Sequence, residues 1–259
     1  LLTGQILLAE DNPINQQVAQ EILEQMGLEV EICKNGLEAV ASVRKRRPDL
    51  VIMDIQMPLM DGFEATNQIR QIEGMETLPI IAMTANAMVG DAERSLRSGM
   101  NDHIAKPVDP ILLYETVKSW LEKIPEKYQK PPADKNDKKT WEKNLLGMDL
   151  QQGLKHIGGN QDLYIKLLRD FLISHAESAK RLDQYLSDNN LKAAQRLAHT
   201  IRGTAGTLGA TQLEEAAHKI DNSLRGNNSV SAERLNALNQ ASDELFRSLA
   251  EWLPKQGET

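Results

Sequence analysis

Short apolar runs alternate with helical patterns over the first half of the chain. The runs are "QILLAE" (5–10), "LEVEIC" (28–33), "DLVIMD" (49–54), "LPIIAMTA" (78–85) and "DHIAK" (102–106), and they read as five strands. Three of them are nearly continuous in apolar residues, as strands covered on both faces of a parallel sheet should be. Helical periodicity fills the gaps, over 13–26, 36–46, 63–72, 87–98 and 110–123. Asn12–Pro13 and Asp109–Pro110 each set a capping side chain before a proline at the first helical position. The alternation predicts a doubly wound α/β domain with a five-stranded parallel sheet.

The pattern changes after residue 124. Residues 125–147 are rich in proline, lysine and aspartate and lose periodicity, so they read as a linker, with Trp141 free to dock on a domain. Beyond it the chain is all helix. Leu168, Phe171, Leu172, Ala179, Leu182 and Leu186 recur at helical spacing, as do Leu235, Leu238, Leu245, Leu249 and Leu253. A short helix near 149–157 is followed by long ones near 161–187, 190–208, 211–225 and 231–253, with Thr211 and Glu214 as a capping box. Short turns favour an antiparallel four-helix bundle. The expected organisation is therefore an α/β domain (1–124), a linker (125–147) and an all-α domain (148–259).

Charge narrows the function. Residues 1–125 carry 11 Lys+Arg against 19 Asp+Glu, and residues 148–259 carry 13 against 14. Neither segment is a basic patch, which argues against nucleic acid as a partner. Aromatic residues are only 4%, too few for a wide base-stacking surface. A single cysteine, Cys33, fits a reducing compartment. No stretch of 18 apolar residues is present, so this segment is expected to be cytoplasmic and without direct membrane contact. The opening "LLTGQ", with no initiator methionine, reads as a piece of a longer protein.

The predicted strand ends carry the chemistry. Glu10 and Asp11 close the first strand, Asp54 the third, Thr84 the fourth and Lys106 the fifth. Parallel strands bring their carboxyl ends to one edge, so these residues converge on one pocket. Three carboxylates together repel unless a cation sits among them. Mg²⁺ suits one or two carboxylates plus waters and phosphate oxygens. An aspartate beside Mg²⁺ and a lysine is a phosphoryl acceptor in waiting.

Here the chain resembles the response-regulator receiver domain: "LLAEDN", "VIMDIQMPLMDGFE", "MTAN" and "HIAKP" match its motifs in order. The resemblance implies a flavodoxin-like fold and phosphorylation at Asp54. It implies Mg²⁺ held by Glu10, Asp11 and Asp54, with the backbone carbonyl of Gln56 as a further ligand. Thr84 and Lys106 would bind the phosphoryl group, Lys106–Pro107 would be cis, and His103 falls on the family's aromatic switch position.

In "LAHTIRGTAGTLGA" (197–210) the apolar positions Leu197, Ile201, Ala205 and Leu208 form one stripe. His199 lies about 200° from that stripe, on the expected solvent side. Arg202, Gly203 and Gly206 fall on the histidine's own face. An exposed imidazole can carry a phosphoryl group, arginine can hold its oxygens, and glycines let another surface approach. His156, His175 and His218 lack such surroundings and read as ordinary polar-face residues.

This stretch resembles the histidine-containing phosphotransfer (Hpt) domain, with Arg202 where that family has lysine, so charge is kept and geometry changes. A receiver followed by an Hpt domain is the order at the carboxyl end of bacterial hybrid sensor histidine kinases. The resemblance implies a phosphorelay. Asp54 would accept a phosphoryl group from a kinase domain of the same parent protein, itself anchored in the inner membrane. His199 would pass the group to a separate response regulator. No Gly-rich phosphate loop supplies ATP binding, so phosphoryl groups would be transferred and not generated. A coil of about 20 residues reaches roughly 25 Å, enough for transfer within one chain.

Two other readings stand beside the relay. In one, phosphorylation switches binding partners and the helical domain is only a docking platform. In the other, the acidic site is a Mg²⁺-dependent phosphatase. That chemistry needs a second carboxylate where Gln56 stands.

Overall fold

The computed structural model describes residues 1–84, 94–122, 145–226 and 229–253. The chain forms two compact units, Leu1–Asp137 and Lys138–Thr259. The expected linker before residue 145, Trp141, and residues 87–93 of the expected fourth helix lie outside the described residues.

The first unit is built on β1 (Gln5–Ala9), β2 (Glu29–Cys33), β3 (Leu50–Asp54), β4 (Ile80–Thr84) and β5 (Asp102–Ala105). All pairs are parallel, in the order β2-β1-β3-β4-β5. Every residue of β3 and β4 is buried, as their continuous apolar runs require. Around the sheet lie α1 (Pro13–Gln25), α2 (Gly36–Arg46), α3 (Gly62–Arg70) and α4 (Pro110–Leu121). Leu7, Val51, Met53, Ile80 and Ala82 form one core with Val40, Val43, Ala65 and Ile69 of α2 and α3. Contacts from α1 reach β1 and β2, and those from α4 reach β3.

The expected proline starts are present. The Asn12 side chain accepts from Ile14 N and Asn15 N before Pro13. Asp109 accepts from Ile111 N and Leu112 N before Pro110. Each satisfies amide donors that the first helical turn leaves open. At the far end of α4 the Trp120 indole N–H donates to Asp102 Oδ2 over 3.0 Å, while Asp102 Oδ1 accepts from His103 N over 2.8 Å. That aspartate ties the last helix to the last strand.

The second unit contains α5 (Leu150–His156), α6 (Gln161–His175), α7 (Ser178–Ser187), α8 (Leu191–Leu208), α9 (Thr211–Arg225) and α10 (Ala232–Trp252). The single helix expected over 161–187 is two, broken at Ala176–Glu177. Just before the break the Ser174 hydroxyl donates back to the Asp170 carbonyl over 2.6 Å, a bond that bends helices. Helix α8 is the hub, packing against α5, α6, α7 and α9, while α10 covers α6, α7 and α9.

The turn between α8 and α9 is tight. Gly209 takes the left-handed conformation (φ 77°), and a Cβ there would collide with the Asp149 carbonyl. Only Gly209 and Ala210 separate the two helices. The capping box expected at Thr211 is therefore corrected: Ala210 is the cap residue, no side chain caps the helix, and Thr211 already lies in its first turn.

Candidate functional site

The strand ends meet along one register line. Ala9 pairs with Met53, Asp54 with Met83, and Thr84 with Ala105. Glu10, Asp54 and Thr84 are buried. One carboxylate oxygen from each of Glu10, Asp11 and Asp54 lies within 4.8 Å of the others. The Lys106 ammonium bridges two of them, at 2.6 Å from Glu10 Oε2 and 2.7 Å from Asp54 Oδ2. Its backbone N–H donates to the Thr84 carbonyl over 2.7 Å, which locks the end of β5 to the end of β4. The Lys106–Pro107 peptide is cis, as expected.

Further donors meet the other oxygens of Glu10 and Asp54. Asp54 Oδ1 accepts from Gln56 N at 3.2 Å, and Glu10 Oε1 accepts from Asn12 N at 3.2 Å and Asn15 Nδ2 at 3.3 Å. Burial, opposed by Lys106 and aided by Asp54, pushes the Glu10 carboxyl up to about 7. Burial disfavours the charged form of Lys106, but the two carboxylates outweigh it and raise its pKa. Glu10 and Asp54 share one ammonium, and Asp11 adds a third carboxylate beside them. That donor set, all oxygen and short of positive charge, is the chemistry of a hard divalent cation. His103 sits beside this edge half-exposed, its Nδ1 4.0 Å from Asp102 Oδ1.

The second cluster lies on the α8–α9 pair. The expected solvent-side imidazole is corrected: the His199 side chain is only 14% exposed. The core stripe of α8 runs through Ala194, Ala198, Ile201, Ala205 and Leu208, while Leu197 is half-buried. Small alanines, not Leu197, face the packed helices, so the stripe is rotated by one residue and His199 flanks it. Nδ1 of His199 lies 3.4 Å from Asp221 Oδ2 and 3.2 Å from Arg225 Nη2. Both partners are on α9, and neither is among the residues expected at this site.

Asp221 is fully buried and gathers the cluster. Arg225 Nε donates to its Oδ1 over 3.0 Å, and Arg202 Nη1 lies 3.6 Å from its Oδ2. Burial alone would raise the Asp221 carboxyl, but the bonds from His199 and Arg225 hold it below the usual carboxylate range. Arg202, expected to face solvent, is 11% exposed and turned toward this carboxylate. Burial lowers its pKa, opposed by Asp221.

Gly206 is also corrected. It is buried, and a Cβ there would come within 2.9 Å of Glu214 Oε1. It makes room for that side chain and not for a visiting surface. Gly203 is half-buried.

Two of the histidines read as polar-face residues are buried. His156 Nδ1 meets the Thr207 carbonyl at 3.2 Å and Tyr164 donates to the Leu208 carbonyl over 2.7 Å. Together they satisfy the last carbonyls of the helix that carries His199. His175 stacks near Phe171, with ring centroids 4.8 Å apart, and burial with Arg181 nearby lowers its pKa to about 4. His218 is half-buried, its Nε2 3.0 Å from Asn222 Nδ2.

Each cluster lies within a region that matches a known family. Residues 6–118 match the response regulator receiver domain, and residues 166–248 match the Hpt domain. The chain is 32% identical over 241 residues to the sensor protein GacS of Pseudomonas syringae, covering 91% of this chain and 26% of that protein. It is 30% identical over 228 residues to the signal transduction histidine-protein kinase BarA of Escherichia coli, covering 85% and 24%. It thus spans about a quarter of the length of those relatives. Against the response regulator DivK of Brucella anthropi it is 39% identical over 116 residues, 45% of this chain and 94% of DivK. A solved receiver domain of a sensor histidine kinase from Pseudomonas aeruginosa, described with magnesium in its active-site cleft, is 42% identical. It covers 46% of this chain and 98% of its own, with a TM-score of 0.44. Among the described residues no helix is long and apolar enough to cross a membrane. The chain belongs to the response-regulator receiver family, carries an Hpt domain behind its receiver, and is related across both to hybrid sensor histidine kinases of phosphorelay signal transduction.

Proposed function

We propose that Asp54 accepts a phosphoryl group from the phosphohistidine of a kinase domain and that His199 takes it on for a downstream response regulator. The observation that carries this is the Lys106 ammonium set between Glu10 and Asp54, at the end of a sheet edge with three carboxylates. An Asp54 oxygen attacks phosphorus, the P–N bond to the donor imidazole breaks, and the electron pair returns to that ring. Lys106 is placed to neutralise the incoming oxygens, and Thr84 ends the neighbouring strand within the same edge.

The residues that would hold Mg²⁺ are Glu10, Asp11, Asp54 and the carbonyl of Gln56. When bound, the ion would supply charge neutralisation at the phosphoryl oxygens. The reverse polarity suits the helical unit, where Arg202 and Arg225 supply positive charge beside His199. Domain limits of 1–124, 125–147 and 148–259, and a cytoplasmic setting for both sites, complete the reading.

Incubation of the full chain with an acyl phosphate in Mg²⁺ tests the order. Alkali-stable, acid-labile label at His199 should appear only when Asp54 is intact. Equal histidine labelling in Asp54→Asn would defeat the sequence of steps. His199→Gln should leave the receiver labelled and block onward transfer; unchanged onward transfer would leave the helical unit as a docking platform only.

A further inference from the structure

The His199 imidazole meets two partners at one nitrogen, and they make opposite demands. Asp221 Oδ2, 3.4 Å from Nδ1, can only accept, so that contact needs the proton on Nδ1. Arg225 Nη2, 3.2 Å from the same Nδ1, can only donate, so that contact needs the lone pair there. A neutral imidazole has one N–H and cannot serve both at once. Both contacts fall on Nδ1, so Nε2 takes whichever role Nδ1 leaves it.

We infer that Asp221 and Arg225 form a tautomer selector for His199: Asp221 keeps Nε2 unprotonated and nucleophilic, and Arg225 opposes it. This rests on His199 as the phosphoryl acceptor. The selector is built into the fold. Arg225 is anchored to the same carboxylate through Nε and Asp221 Oδ1 at 3.0 Å, so its second nitrogen is held close to the ring. Asp221 is fully buried, so no water competes for it, and Arg202 stands 3.6 Å from the oxygen that faces the ring. The more Oδ2 is drawn to Arg202, the less it selects the Nδ1–H form.

The step balances as follows. In the Asp221-selected form the Nε2 lone pair attacks the phosphorus of an aspartyl phosphate. The P–O bond to the aspartyl oxygen breaks and its electron pair stays on the carboxylate. The ring keeps its Nδ1 proton and becomes a phosphoimidazolium, whose positive charge lies against Asp221. In the Arg225-selected form Nε2 holds the proton and has no lone pair to offer. Asp221 is thus a positioning residue, acting through His199, and Arg225 is its counterweight.

Imidazole ¹⁵N spectra of the full chain with labelled histidine read the tautomer directly. Asp221→Asn should move His199 toward the Nε2–H form and slow phosphoryl uptake from a phosphorylated receiver by at least about 10-fold, as wrong-tautomer variants of other catalytic histidines do. Arg225→Met should move the ring the other way, toward Nδ1–H, and Asp221→Glu should restore part of the Asp221→Asn loss. An unchanged tautomer balance in Arg225→Met and Asp221→Asn would overturn the inference, even if uptake fell. A tautomer shift in a chain whose wild type takes no phosphoryl group at His199 would keep the selector and sink the acceptor reading instead. Arg225→Met alone decides the matter if Asp221→Asn fails to fold.

Discussion

The two sites gather the same residue types in opposite proportion. At the sheet edge three carboxylates cluster and one ammonium bridges two of them. On the α8–α9 pair one carboxylate is surrounded by two guanidiniums and an imidazole. The first cluster is short of positive charge and the second has it in excess. In the proposed relay, a phosphoryl group brought to the acidic edge would need an added cation, whereas the helical cluster would supply its own. The difference follows from the scaffolds. Parallel strands end together, so they can pool acids from distant parts of the sequence. A helical hairpin can only pair what its two helices carry.

The comparison breaks most sharply at the nucleophile. Asp54→Asn should cut labelling by an acyl phosphate by about 1,000-fold, read by autoradiography, in line with removal of other catalytic nucleophiles. Chelation with EDTA should do nearly the same to the receiver yet leave phosphate already on His199 in place. Loss of that phosphate to EDTA would place a metal requirement at both sites.

Stability should then separate the clusters. Asp221→Asn leaves two guanidiniums without their shared anion and should destabilise the chain by about 3 kcal/mol in urea unfolding, as breaking buried ion pairs does. A neutral result would mean the guanidiniums are held by other groups.

His175 sharpens the contrast between histidines, because it is buried beside Phe171 with no carboxylate among the causes that set its pKa. Its pKa falls from 6.5 to about 4 in the folded chain, so folding favours the neutral ring. That contribution is complete above about 6.5 and drains away as pH falls toward 4. It should remove about 2 kcal/mol between pH 7 and 5, and His175→Leu should flatten that slope in calorimetry.

The smallest effect has the opposite sign to Asp221→Asn. In EDTA at pH 8, Glu10→Gln removes one of three crowded carboxylates and should stabilise the chain by about 1 kcal/mol. If Glu10 holds Mg²⁺ as proposed, the same variant should also show a smaller gain in stability on adding Mg²⁺ than the parent chain. Destabilisation in EDTA would show that the Glu10–Lys106 pair outweighs the repulsion.

The acidic site was legible because strand ends are legible. Continuous apolar runs ending in Glu10, Asp54 and Thr84 fix both the sheet and the residues at its edge, and the structure places them there. The helical site was legible only in half. His199 and Arg202 stand out in the sequence, but the spacing from Leu197 points to the wrong buried face, because Ala194 and Ala198 are the residues that α8 packs inward. Asp221 and Arg225 were missed, although a signal existed. With a two-residue turn, positions equidistant from Ala210 face each other. His199 meets Asp221 and Gly206 meets Glu214 by that rule. Reading the hairpin as a mirror would have found the carboxylate and reassigned the glycine. The break at Ala176–Glu177 had no glycine or proline to announce it.

The tie between Asp102 and the Trp120 indole makes the receiver its own optical gauge. The same carboxylate holds the backbone beside His103, so any displacement of that residue alters the polarity around a fluorophore that is already in place. Replacing Trp141 and Trp252 with phenylalanine would leave a single emitter, and its wavelength would follow the state of the sheet edge without a label or a partner.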